Sequence, residues 1–120
     1  MQEQKFKQAA RWTDGADWLW FVRKGETNVN LIEQSLMMGT DANLHSATSN
    51  ETALFALVDT VFDEYFEEDV KIAKVLIRHG LDVCHRDIHG KPALQHGSTY
   101  NAALASLIQS HCHCGECSMS

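Results

Sequence analysis

Apolar residues return at helical spacing in three stretches of the chain. In Leu31-Ile32-Glu33-Gln34-Ser35-Leu36-Met37-Met38 and in Ile72-Ala73-Lys74-Val75-Leu76-Ile77-Arg78 they fall three and four positions apart, on one side of a helix. Each stretch runs into a glycine, Gly39 or Gly80, which takes the left-handed conformation that ends a helix without a Cβ penalty. The third stretch, Asn101–Gln109, carries Ala102, Ala103, Leu104, Ala105, Leu107 and Ile108. Shorter helices are expected before these. Asp17, Thr52 and Pro92 each stand just ahead of a leucine, where aspartate and threonine can cap a helix and proline fits its first turn. A polar helix around Gln2–Arg11 precedes them all. The pattern therefore predicts an all-α chain.

The elements also repeat. Gly39-Thr40-Asp41-Ala42-Asn43 and Gly80-Leu81-Asp82-Val83-Cys84 have the same order of glycine, then x-Asp-apolar, and their glycines lie 41 residues apart. Upstream, Asp14-Gly15-Ala16-Asp17-Trp18-Leu19, Asn50-Glu51-Thr52-Ala53-Leu54 and Gly90-Lys91-Pro92-Ala93-Leu94 share a turn-forming residue four positions before a leucine. Together these motifs resemble the ankyrin repeat, whose pattern runs Asp-x-x-Gly-x-Thr-Pro-Leu-His, a second helix rich in Val and Leu, then Gly-Ala-Asp-x-Asn. The two glycine segments match the ending. Thr52-Ala53-Leu54-Phe55-Ala56 and Asp87-Ile88-His89-Gly90-Lys91-Pro92-Ala93-Leu94 match the opening, with the Thr-Pro pair incomplete and the histidine replaced by Trp20, Phe55 and Gln95.

The resemblance implies a solenoid of helix-turn-helix pairs with short connecting loops, about three divergent repeats over residues 14–111. Residues 1–13 would form an N-terminal capping helix, since terminal repeats need a polar outer face. Residues 112–120 would be a flexible tail rich in Cys and His. One spacing departs from the pattern: Leu19 to Gly39 is 20 residues, but Leu54 to Gly80 is 26. The surplus falls within Val58–Asp69, and insertions in repeat proteins map to loops on one face.

Composition sharpens that point. In 120 residues there are 16 acidic and 10 basic side chains, a formal net charge of −6. Six of the acids, Asp59, Asp63, Glu64, Glu67, Glu68 and Asp69, stand in one eleven-residue stretch with no Lys or Arg, so this stretch accounts for the whole imbalance. Phe62, Tyr65 and Phe66 are interleaved with them. Carboxylates steer and orient a partner while aromatics supply desolvated area, so the mixture suits a binding surface for a basic protein. A solvated loop with its aromatics in an extended helix is the other reading. The acidic balance argues against nucleic acid as a partner. No apolar run reaches the length of a membrane span, and the start of the chain is polar, so a cytoplasmic protein with no membrane contact is expected.

Candidate chemistry is sparse. His111-Cys112-His113-Cys114-Gly115-Glu116-Cys117 offers soft ligands, and Cys114-x-x-Cys117 has the spacing of half a zinc site. Its second half is missing unless Cys84, His85 or His89 supplies it. A redox role for that pair would require a low-pKa thiol at a helix start, whereas Cys114 follows a helix end. There is no Ser-His-Asp order, phosphate loop or His-Glu-x-x-His helix. His79 suits the end of its helix dipole. Trp18-Leu19-Trp20-Phe21 is expected in the core of the first inner helix, with one tryptophan able to face a groove.

The expected function is accordingly non-enzymatic and needs no cofactor. Ankyrin-like chains act as protein-binding modules, and the resemblance implies contacts through the hairpin tips, here His45, Ser46, Thr48 and Ser49, then Arg86, Asp87, Ile88 and His89. The favoured partner contacts are Asp59, Asp63, Glu64, Tyr65, Phe66, Glu67, Glu68, Asp69, His45, Arg86, Asp87 and His89. A small acidic repeat protein of this kind is similar to the inhibitors that bacteria or phages direct against a toxin or defence enzyme, including ankyrin-like immunity proteins. The alternatives are a metal-binding or redox-sensing protein using Cys112, His113, Cys114 and Cys117, and a host-directed ankyrin effector or scaffold.

Overall fold

In a computed structural model of the chain, residues 11–23, 29–58, 66–93 and 101–111 are described. They form five helices: α1 (Gly15–Arg23), α2 (Val29–Met37), α3 (Ala53–Val58), α4 (Phe66–Arg78) and α5 (Ala102–Ser110). Among the described residues there is no strand, only an isolated antiparallel bridge between Arg86 and Pro92. None of these helices is long and apolar enough to cross a membrane. The all-α expectation is met.

Helices alternate between two rows. α1 packs against α3, while α2 packs against α4 and α4 against α5; α3 also touches α4 and joins the rows. The sequence pattern explains the division. α2 buries Ile32, Ser35 and Leu36, and α4 buries Ile72, Ala73, Val75 and Leu76, while Gln34, Lys71, Lys74 and Arg78 face water. α3 is apolar all round and buried at each of its six positions, as a helix between neighbours must be. In α1, Trp18 and Phe21 are fully buried. Their rings lie 5.9 Å apart, and the Trp12 ring lies 5.0 Å from that of Phe21 on the same core. Such aromatic contacts add to the area each ring buries.

The helix ends follow the glycines. Gly39 has φ +112° and Gly80 φ +100°. In each case the glycine N–H bonds three residues back (to Leu36 and Ile77, both 3.0 Å) and the next N–H five residues back, Thr40 to Ser35 at 3.1 Å and Leu81 to Leu76 at 3.0 Å. This is the paired closure of a left-handed helix cap. A Cβ on Gly80 would meet no atom within 4 Å, so the cost of a side chain there is purely conformational. Gly80→Val should therefore destabilise by about 1–2 kcal/mol, measured by denaturant unfolding. An unchanged midpoint would contradict the cap.

After each glycine the chain repeats itself atom for atom. Asp41 Oδ1 accepts from Asn43 N at 2.9 Å, and Asp82 Oδ1 accepts from Cys84 N at 2.9 Å. Leu44 N then bonds Asp41 O at 2.9 Å, and His85 N bonds Asp82 O at 3.2 Å. Asn43 ties the first copy to the second: its Nδ2 donates to Gly80 O at 3.0 Å and its Oδ1 accepts from Asp82 N at 2.7 Å.

Three local expectations need correction. α1 begins at Gly15, and its cap is Asp14, whose Oδ1 accepts from Ala16 N at 2.8 Å and Asp17 N at 3.1 Å, so Asp17 lies inside the first turn. Thr52 does precede α3, but its hydroxyl is buried without a partner among the described residues, and its carbonyl takes the Phe55 N–H instead. The third stretch starts one residue later than expected: Asn101 is the cap, Oδ1 accepting from Leu104 N at 3.1 Å, and Ala102 opens the helix. Residues 1–10 of the expected N-terminal helix, most of the insertion and residues 112–120 lie outside the described residues, and residues 11–13, which the capping helix was expected to include, are not helical.

Candidate interaction surface

Two loop tips stand side by side, 46–51 and 86–92. Each is built around a polar residue that gathers the amides of its own turn. Ser46 Oγ accepts from Thr48 N at 3.3 Å and Ser49 N at 3.5 Å, and Asp87 Oδ1 accepts from His89 N at 2.9 Å and Lys91 N at 3.0 Å. Backbone bonds close both turns, Ser46 N to Glu51 O at 3.0 Å and Asp87 N to Lys91 O at 2.9 Å. A left-handed residue completes each: Asn50 at φ +60° and Gly90 at φ +79°. Asparagine is among the side chains that tolerate this conformation best.

The tips are also bonded to each other. Ile88 N donates to Ser49 O at 2.9 Å, Asn50 Nδ2 to Arg86 O at 2.8 Å, and His85 Nε2 to Asn50 O at 2.7 Å. The last bond fixes the proton on Nε2, because a carbonyl can only accept. The His85 ring lies edge-on to Phe55 at 6.4 Å and 5.5 Å from the ring of His45. A continuous, internally satisfied edge results, with little entropy left to lose when something binds it.

The expected contact residues divide on this geometry. His45 and His89 are exposed on the tips, with Thr48, and Glu67 is exposed on the first turn of α4. Arg86 is half-buried, its guanidinium donating to Gly90 O at 2.6 Å within the same tip. Asp87 is only 6% exposed and its carboxylate holds its own turn, so it shapes the tip. Asp69 is likewise 6% exposed and belongs to the interior. Ser46 is buried for the same reason as Asp87. Glu68 is half-buried, and its Oε2 accepts from Val29 N at 2.8 Å. Phe66 opens α4; Asp59, Asp63, Glu64 and Tyr65 lie outside the described residues, as do Cys112, His113, Cys114 and Cys117. Among the described residues no group of three or more His, Cys, Asp or Glu side chains could hold a metal ion.

Exposed apolar residues complete the surface. Ile88 is 64% exposed at the outermost turn, and Trp20, on the solvent face of α1 with Ala16 and Arg23, is 50% exposed. Met37 and Met38 are exposed at the end of α2. The resemblance places Ile88 on a tip without counting it a favoured contact; a lone isoleucine between Asp87 and His89, in a turn with no core to join, is the signal that could have promoted it. Trp20 is separated from buried Trp18 only by helix phase. No family model, curated protein or solved structure matches the chain.

Proposed function

We propose that this chain is a protein-binding module of the ankyrin-like kind, a stoichiometric inhibitor of the immunity or anti-defence type that occupies the basic surface of a partner enzyme and catalyses nothing itself. The observation that carries the reading is the pair of tips, bonded to each other by three hydrogen bonds, with Ile88 and His89 exposed on the second and His45 exposed just before the first. An apolar side chain held out by a satisfied backbone is what a binding hot spot requires, since its burial costs little ordering. The 41-residue recurrence of both turns, with alternate helices packed row on row, supports the ankyrin-like stacking. The local excess of carboxylates before and within α4 supports a basic partner.

The test is affinity capture from the native host with three immobilised proteins: the full chain, Ile88→Asp, and a chain lacking residues 112–120. The full chain and the shortened one should retain the same protein in a one-to-one complex. Ile88→Asp should weaken that complex by roughly ten-fold or more, the loss of a hot-spot anchor. Binding that survives Ile88→Asp but disappears with residues 112–120 would transfer the function to the Cys/His tail.

A further inference from the structure

His45 immediately precedes the first tip and His85 the second. Their rings lie 5.5 Å apart, centroid to centroid, at an interplanar angle of 31°. Each ring has one nitrogen against a backbone carbonyl. His85 Nε2 meets Asn50 O at 2.7 Å, and His45 Nδ1 meets Asn43 O at 3.4 Å, a longer contact. A carbonyl oxygen only accepts, so these two nitrogens carry the hydrogens. His85 Nδ1 and His45 Nε2 are left with their lone pairs. Metal-ligating histidines are ordinarily held in this way, one N–H tied to a carbonyl and the other nitrogen given to the ion.

We propose that His45 and His85 form a two-imidazole site for Zn²⁺, which pins the base of the first tip to the base of the second. The spacing selects the ion's geometry. With metal–nitrogen bonds of about 2.0–2.1 Å, two rings on a tetrahedral ion stand roughly 5–5.5 Å apart by centroid, whereas adjacent rings on a square-planar ion come to roughly 4.5 Å. Imidazole suits zinc, and zinc takes four tetrahedral ligands. His85 is the fixed member, half-buried, bonded to Asn50 and edge-on to Phe55 at 6.4 Å. His45 is exposed, so its ring can turn to aim Nε2. Two protein ligands fall short of the three or four of a resident zinc site, so water completes the shell and capture is reversible. No partner protein is needed, so zinc binding stands or falls separately from docking at the tips.

The full chain, isotopically labelled in histidine, is titrated with zinc chloride while its ring nitrogens are followed by NMR. His45 Nε2 and His85 Nδ1 should shift together on one binding curve, while His45 Nδ1 and His85 Nε2 keep their hydrogens. His45→Ala should weaken zinc binding at His85 by roughly ten-fold or more, since losing even an outer partner of a ligand costs that much. His85→Gln should do the same at His45; glutamine is used because its amide can still donate to Asn50 O and keep the tips joined. His89→Ala should change neither curve. Zinc that shifts neither ring, rings that shift on separate curves, or affinity unchanged by His45→Ala would overturn the site and leave only packed imidazoles. So would a joint shift that vanishes when Cys112, Cys114 and Cys117 are replaced together by Ser, because the ion would then belong to the Cys/His tail. If His85→Gln does not fold, the unmodified chain and His45→Ala decide the matter alone, His45 being exposed.

Discussion

Gly15→Ala should be among the most damaging single substitutions in this protein, costing about 3 kcal/mol and lowering the melting temperature by roughly 10 °C or more. Ordinary helix energetics point the other way, since alanine in place of a helical glycine gains about 1 kcal/mol. Contact decides the sign. A Cβ on Gly15 would stand 1.8 Å from His45 O, 2.2 Å from His45 C and 2.7 Å from Ser46 N, all backbone atoms. That segment cannot step aside cheaply. Leu44 N is bonded to Asp41 O, and Ser46 N to Glu51 O, on either side of it. Moving it would disturb the base of the first tip, and with it the bonds that join the two tips. Thermal unfolding followed by far-ultraviolet circular dichroism measures the effect. Equal or higher stability in Gly15→Ala would mean that α1 and the first tip do not touch as described.

Gly15 also shows where sequence reading reaches its limit. Its place before a leucine marks it as a turn former, and the structure instead makes it the first residue of a helix, small because another loop presses on it. The glycines at 39 and 80 were legible because the property they satisfy, a left-handed helix end, is local and recurs at a fixed interval. The alternation of apolar positions likewise identified the buried faces of α2 and α4. What escaped was every decision made by a distant segment. Asp69 and Asp87 read as surface charge because a carboxylate in a polar run has no sequence mark for burial, and their environments are set by packing and by turn closure. Glu68 reads as one more acid, since nothing near it in sequence announces Val29. Asp14 and Asp17 are equally good caps on paper, and the choice between them depends on where Gly15 meets His45. The tips were placed correctly as loops, but their mutual bonding, through Asn50 and His85, pairs residues about 35 apart.

Replacing Asp63, Glu64 and Glu67 together by Ser or Asn, with Glu68 retained, should slow association with the partner by roughly ten-fold at low salt. Glu68 is kept because its removal would break its bond to Val29 N and confuse a charge effect with a structural one. Glu67 is exposed at the start of α4. Long-range attraction between an acidic stretch and a basic cleft acts on encounter and less on the lifetime of the complex, so the association rate is the quantity to follow. The same physics predicts that the unmodified protein loses its advantage as salt rises, because exposed charges are screened beyond about 8 Å at physiological ionic strength. The two rate curves should therefore converge in high salt. Stopped-flow or surface-based kinetics over a salt series measures both, with circular dichroism confirming that the variant remains folded. A folded variant that associates as fast as the unmodified protein at low salt would reduce the acidic stretch to a solvated loop. Recognition would then reside in the tips and beside them, where Ile88, His45 and His89 are exposed.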